Sequence, residues 1–147
     1  MILRCPEVAV YIYIMPKNKG FDEIFPEIKY NSLGKPYLPQ GQGFVNWSNS
    51  REKCIFAFSK ECEVGIDLEF YRDRNFEAIS KRFFAPSEVT NAAETFYPLW
   101  TKKEAYYKCM GGNFFSILKN DSYPNAKIWN LQGPYKEKHE LALCVKF

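Results

Sequence analysis

The sequence predicts an α+β fold in which an antiparallel sheet packs against helices. Three observations predict it. β-Branched and aromatic runs open and close the chain, at Val8 to Met15 and Glu140 to Phe147. Between them, Phe76 to Met110 carries helical spacing and helix punctuation. The order is therefore strands, then helices, then strands, which favours α+β over an alternating parallel arrangement.

Val8 to Met15 (VAVYIYIM) reads as a buried strand that Pro16 closes. Lys17 to Gly43 reads as loop, punctuated by Pro26, Pro36, Pro39 and several glycines, with a short strand at Ile28–Tyr30. Lys53 to Ser59 (KCIFAFS) and Val64 to Phe70 (VGIDLEF) are strong strands across a polar turn at Glu61 to Glu63, and together read as an antiparallel hairpin. Phe76, Ile79 and Phe83 recur at helical spacing. Pro86 opens a short helix, and Pro98 opens another that runs to Met110 and stops at Gly111-Gly112. Strands return near Ala126–Leu131 and Glu140–Phe147, separated by a polar turn from Gln132 to Lys138.

The chain has 147 residues, a size that fits one domain around one core. Hydrophobic residues make up 46%, too many for a disordered chain. The net charge of +3 is scattered, with no Lys/Arg stripe for nucleic acid, and it suits an anionic small ligand or an acidic partner. Five cysteines (Cys5, Cys54, Cys62, Cys109, Cys144) with no C-x-x-C pair, and a lone His139, argue against a structural zinc site. No run approaches the roughly 20 apolar residues of a membrane span. The expected location is the cytoplasm, with reduced thiols.

Three groups of residues can carry chemistry. Asp67 and Glu69 alternate with Ile66, Leu68 and Phe70, so the two carboxylates share one strand face. That face is either the solvent side of an amphipathic strand or a place where a cation relieves two like charges; all-oxygen ligands then favour Mg²⁺ or Mn²⁺. In Trp100 to Lys108 (WTKKEAYYK), Glu104 and Lys108 lie one helical turn apart. They form either a site or an ordinary exposed pair, with Thr101 and Glu104 a possible capping box and Trp100, Tyr106 and Tyr107 core. In Gly34 to Ser50, Lys35 with Ser48, Asn49 and Ser50 offers one cation and several donors, either for phosphate or for turns.

Taken in order, these groups resemble the 4'-phosphopantetheinyl transferase superfamily, in its surfactin-synthetase-activating type with a shortened N-terminal half. That family reads G-K-P, F-N-x-S-H-S, G-x-D-x-E, R-F-F-x-x-x-E and W-x-x-K-E-A/S-x-x-K. This chain has Gly34-Lys35-Pro36, Val45-Asn46-Trp47-Ser48-Asn49-Ser50, Gly65-Ile66-Asp67-Leu68-Glu69, Arg82-Phe83-Phe84 to Glu88, and Trp100-Thr101-Lys102-Lys103-Glu104-Ala105 to Lys108. The likeness covers residues 28–147, so residues 1–147 are expected to form a single transferase domain with residues 1–34 an abbreviated N-terminal part.

The resemblance implies a 4'-phosphopantetheinyl transferase-like fold. It also implies transfer of phosphopantetheine from coenzyme A to a serine of an apo acyl or peptidyl carrier protein, releasing adenosine 3',5'-bisphosphate. It implies that Asp67, Glu69 and Glu104 hold Mg²⁺ (or Mn²⁺), that Glu104 and Lys108 are catalytic, and that Lys35, Ser48, Asn49 and Lys108 contact coenzyme A. Glu88 would help orient the lysine or the metal. Asn49 stands where the family has histidine. The basic helical arm that meets the 3'-phosphate in surfactin-type enzymes has no counterpart, and Lys17, Lys19 and Lys29 are possible substitutes. A homo-oligomer in which a neighbour completes the coenzyme A pocket is one expectation. The alternative function is a relative that binds coenzyme A or a carrier domain without turnover.

Overall fold

A computed structural model describes residues 8–16, 23, 25–32 and 34–147, together with the backbone of residues 2–4. The observed α+β arrangement has two antiparallel sheets and helices that cover one of them. The first sheet has the order β1-β2-β6-β5, from β1 (Ile2–Arg4), β2 (Ala9–Pro16), β5 (Phe44–Ser50) and β6 (Lys53–Ser59). The second has the order β7-β9-β8, from β7 (Val64–Phe70), β8 (Ala126–Leu131) and β9 (His139–Lys146). A two-stranded ribbon, β3 (Lys29–Tyr30) with β4 (Pro36–Tyr37), lies in the loop before β5.

Three helices follow β7: α1 (Phe76–Phe83), α2 (Ala93–Met110) and α3 (Phe114–Leu118), with a 3₁₀ turn at Pro86–Glu88. Asn75 caps α1 by accepting from the Ala78 N–H at 3.0 Å, and Asn113 caps α3 through the Ser116 N–H at 2.9 Å. Helix α2 ends at Gly111, whose φ of 72° lies in the left-handed region that glycine enters without cost. Among the described residues, no helix is long and apolar enough to cross a membrane.

The predicted hairpin of residues 53–59 with 64–70 is corrected. Strand β6 is paired on both edges, with β2 (Ile14 opposite Ile55) and with β5 (Trp47 opposite Phe56). Strand β7 pairs instead with β9, Asp67 opposite Ala142. The hairpin is β5–β6, closed by Arg51 and Glu52, with Arg51 at φ 52°. Residues 44–50 therefore form a strand. Helix α2 begins five residues before Pro98, whose missing N–H leaves one helical bond unmade at an otherwise regular helix. Thr101 is inside that helix, donating to the Tyr97 carbonyl at 2.9 Å, so it caps nothing.

Two faces of β7 do different work. Ile66, Leu68 and Phe70 join Val10, Ile12, Ile55, Leu141 and Leu143 in the core between the sheets. The opposite face meets α2 so closely that a Cβ on Gly65 would lie 2.5 Å from the backbone nitrogen of Cys109. Only a residue without a side chain admits that approach. Ala105 and Cys109 of α2 pack here on Ala142 and Cys144 of β9.

Candidate functional site

The two sheets meet along β5 and β7, and side chains rather than backbone ladder bonds join them. The Asn46 side-chain oxygen accepts from the Ile66 N–H at 3.2 Å, and Ser50 Oγ accepts from the Phe70 N–H at 3.2 Å. Between them Ser48 Oγ donates to Asp67 Oδ1 at 2.9 Å. Every second residue of β5 thus latches onto β7, which is why this strand is polar where a buried strand is ordinarily apolar.

Asp67 stands at the centre of the seam. It is buried, and its Oδ1 also accepts from the Lys108 ammonium at 2.7 Å. Lys108 reaches down from α2 and donates a second bond to the Ile66 carbonyl at 3.2 Å. Asp67 Oδ2 is buried with no hydrogen-bond partner among the described residues. Glu104 lies one turn before Lys108 on α2. Burial, and then the charge of Asp67, push its carboxyl up to about 7, with Glu69 adding to the rise and Lys108 opposing it. Glu69 is also pushed up, first by burial and next by Asp67, while Arg74, Arg72 and Lys108 pull it down.

Asp67, Glu69, Glu104, Lys108, Ser48 and Asn49 line one pocket of about 380 Å³, open to solvent, with Trp47 at its side. A neighbouring pocket of about 340 Å³ shares Trp47 and Lys108 and is walled by Lys35, Pro36, Asn46, Tyr107 and the glycines beyond α2. Lys35 therefore sits one pocket away from the carboxylates, and its ammonium pairs with Glu63 at 3.3 Å. Of the two polar candidates on β5, Ser48 spends its hydroxyl proton on Asp67, whereas Asn49 is exposed.

Glu88 is elsewhere. Its carboxylate pairs at 2.7 Å with Lys103, which is fully buried and also donates to the Asn120 carbonyl at 2.6 Å. The expectation that Glu88 orients Lys108 or the metal is corrected on this geometry: it holds the residue preceding Glu104. Lys29 is exposed on β3 and lines neither pocket, and Lys17 and Lys19 lie outside the described residues. Trp100 belongs to an aromatic cluster, stacked on Phe96 at 5.6 Å. Cys54 and Cys144 are buried, with exposures of 2% and 0%.

Among the described residues, no group of three or more His, Cys, Asp or Glu side chains is arranged to hold a metal ion by itself. The chemistry of the donors nevertheless fits a small hard cation. All three are carboxylates, one buried oxygen of Asp67 is unpartnered among the described residues, and burial, followed by the charge of Asp67, raises Glu69 and Glu104 above the ordinary carboxylate range. Mg²⁺ is ordinarily held by one or two carboxylates plus phosphate and water, not by a closed protein cage.

The sequence model of the 4'-phosphopantetheinyl transferase superfamily matches residues 63–142. The chain is 31% identical over 130 residues to the 4'-phosphopantetheinyl transferase AcpT of Escherichia coli, covering 82% of this chain and 66% of that one. It is 33% identical over 116 residues to the 4'-phosphopantetheinyl transferase HetI of a Nostoc species, covering 69% of this chain and 45% of that one. A shorter match, 33% over 87 residues, relates it to the 4'-phosphopantetheinyl transferase Sfp of Bacillus subtilis, covering 53% of this chain and 38% of that one. The matched stretch thus spans two thirds or less of each of these relatives.

Proposed function

From a chain that belongs to the 4'-phosphopantetheinyl transferase superfamily, we propose that the whole of it works as one transferase unit, moving 4'-phosphopantetheine from coenzyme A to a serine of an apo carrier protein. The observation that carries this reading is the single open pocket where Asp67, Glu69, Glu104 and Lys108 meet. Asp67, Glu69 and Glu104 would hold a divalent cation, Mg²⁺ or Mn²⁺, which when bound supplies positive charge to pyrophosphate oxygens.

The remaining work falls to the chain's own groups. Lys108, fixed by the Ile66 carbonyl and Asp67, presents its ammonium to the phosphate and neutralises charge there. Glu104, whose carboxyl lies near neutrality, takes the proton from the carrier serine. The serine oxygen bonds to the phosphorus bearing the pantetheine arm, the bond to the bridging oxygen breaks, and adenosine 3',5'-bisphosphate leaves. Positioning of two large substrates, rather than covalent chemistry by the protein, supplies most of the acceleration. Lys35 and Asn49 are read as contacts to the nucleotide end of coenzyme A, and Ser48 as a support for Asp67 that borders the same ligand. The surfactin-activating type is supported by the ordered motifs and by the shorter likeness to Sfp. The cytoplasm is the compartment we assign, on the free thiols of Cys54, Cys62, Cys109 and Cys144.

The test is intact-mass analysis of a panel of apo acyl and peptidyl carrier domains incubated with the protein and coenzyme A. Gain of a phosphopantetheine arm with Mg²⁺, and none with a chelator, is expected. Coenzyme A binding without turnover on any carrier would favour the second reading, a binding relative, for which Asn49 is the motivating residue. A neighbouring subunit that completes the pocket is checked separately by light scattering: a monomeric mass with full activity contradicts it.

A further inference from the structure

The joint between the two sheets is built from groups to which the reaction described above gives no part. Strand β5 is paired with β6 along its whole length, from Phe44 opposite Ser59 to Ser50 opposite Lys53, so it is a stiff bar. Strand β7 is paired in the same way with β9. Strands β5 and β7 belong to different sheets and share no ladder among the described residues. A ladder would set two strands about 4.8 Å apart. Side chains stand between these two instead and hold them wider. The opening that results is the carboxylate pocket, with Trp47, Ser48 and Asn49 from one strand and Asp67 and Glu69 from the other.

Three residues of β5 span the gap, all on one face of the strand by their i, i+2 spacing. Ser48, in the middle, reaches an acid directly at Asp67 Oδ1. Asn46 and Ser50, on either side, take backbone N–H groups instead. Their partners are Ile66 and Phe70, the residues that immediately precede Asp67 and follow Glu69. The acid-bearing stretch of β7 is thus held at both of its ends. Ile66 is gripped from two directions, its N–H by Asn46 and its carbonyl by Lys108 of α2 at 3.2 Å. Helix α2 also carries Glu104, so the chain of bonds from Asn46 through Ile66 to Lys108 crosses all three elements that line the pocket.

Packing alone does not account for these residue types. Asparagine is a poor strand former, and apolar side chains ordinarily fill the buried face of a strand. Asn46 is buried, at 3% exposure, so removing its oxygen leaves a peptide N–H with neither partner nor water. Resting on the transferase reading, we propose that Asn46 and Ser50 are positioning residues for the cation site. By fixing β7 against β5 they set how far Asp67 and Glu69 stand from Glu104, and with that spacing the affinity for the divalent cation. Groups that orient metal ligands without touching the metal ordinarily govern affinity by about 10- to 100-fold.

The experiment follows Mn²⁺ binding through the loss of the free ion's electron-spin-resonance signal, with coenzyme A present. It compares the wild type with Asn46→Ala, Ser50→Ala and Ser50→Thr, each first shown to unfold cooperatively in urea. Both alanine variants should bind Mn²⁺ about tenfold or more weakly than the wild type. Ser50→Thr keeps the hydroxyl on a residue that suits a strand, and should bind as the wild type does. At saturating Mn²⁺, KM for coenzyme A should be that of the wild type throughout. If Asn46→Ala does not fold, Ser50→Ala decides alone, because Ser50 lies at the half-buried end of the strand. Wild-type Mn²⁺ affinity in the folded alanine variants, whatever their Tm, would overturn the proposal and make the seam purely structural. So would a raised KM for coenzyme A with Mn²⁺ affinity unchanged, which would assign these residues to the nucleotide. Weak binding by Ser50→Thr, equal to that of Ser50→Ala, would contradict the role of the hydroxyl. Absence of Mn²⁺ binding by the wild type would overturn the cation site of the transferase reading itself.

Discussion

Glu104 and Asp67 oppose each other electrostatically, and that opposition has a measurable sign. The Glu104 carboxyl is raised from 4.5 to about 7 in the folded, metal-free protein. A carboxyl raised on folding stabilises the fold below its unfolded value and loses that contribution as pH rises through the folded value. Metal-free protein should therefore lose stability between roughly pH 4.5 and 7, by on the order of 3 kcal/mol from this group. Glu69, raised in the same direction, adds to the slope. Urea unfolding at pH 5 and pH 8 checks this: Glu104→Gln should flatten the difference, and parallel profiles would refute it. Mg²⁺ should raise Tm more at pH 8 than at pH 5, since it competes with protons for the same oxygens. At this scale the sequence was informative. The i, i+2 spacing of Asp67 and Glu69 placed both acids on one strand face, and the i, i+4 spacing placed Glu104 with Lys108. It offered Ser48 as a phosphate or coenzyme A contact but not its hydroxyl bond to Asp67, which crosses a seam that local periodicity does not describe.

Helix α2 is the element that assembles the site, and two contacts fix it. One is the bare backbone of Gly65 against Ala105 and Cys109. Gly65→Ala places a methyl group against helix backbone, so α2 must move off β7. A loss of about 1–3 kcal/mol in chemical denaturation is expected, as overpacking of a tight interface gives. An unchanged midpoint would contradict the close approach. The other contact is Lys103, fully buried between Glu88 and the Asn120 carbonyl. Glu88→Ala leaves that ammonium buried and uncompensated, which costs about 3–5 kcal/mol. Pairing it with Lys103→Met should recover much of the stability but not the activity, if Lys103 keeps Glu104 in position. Recovery of both would make the pair purely structural. The start of α2 was misread because Pro98 looks like an opening residue, and packing of Phe96 and Tyr97 into the aromatic core outweighs one lost helical bond. Strand β5 is hard to see in the sequence because Asn46, Ser48 and Ser50 are polar for a partner in another sheet.

The molecule as a whole places its chemistry where its two sheets meet. The apolar side of β7 belongs to the core between the sheets, and the side bearing Asp67 and Glu69 faces the helices, so two of the candidate acids and the core share one strand. The fold class was legible from element order. The sheet partners were not, because strand pairing between β7 and β9 joins residues far apart in the chain and no local pattern records it. Intact-mass analysis of an apo carrier domain, incubated with coenzyme A, Mg²⁺ and either the wild type or one of Asp67→Asn, Glu69→Gln and Glu104→Gln, tests the central claim most directly. The account predicts that the wild type adds a phosphopantetheine arm and that each folded variant adds it at least about a hundredfold more slowly. Conversion by the variants at the wild-type rate would contradict it.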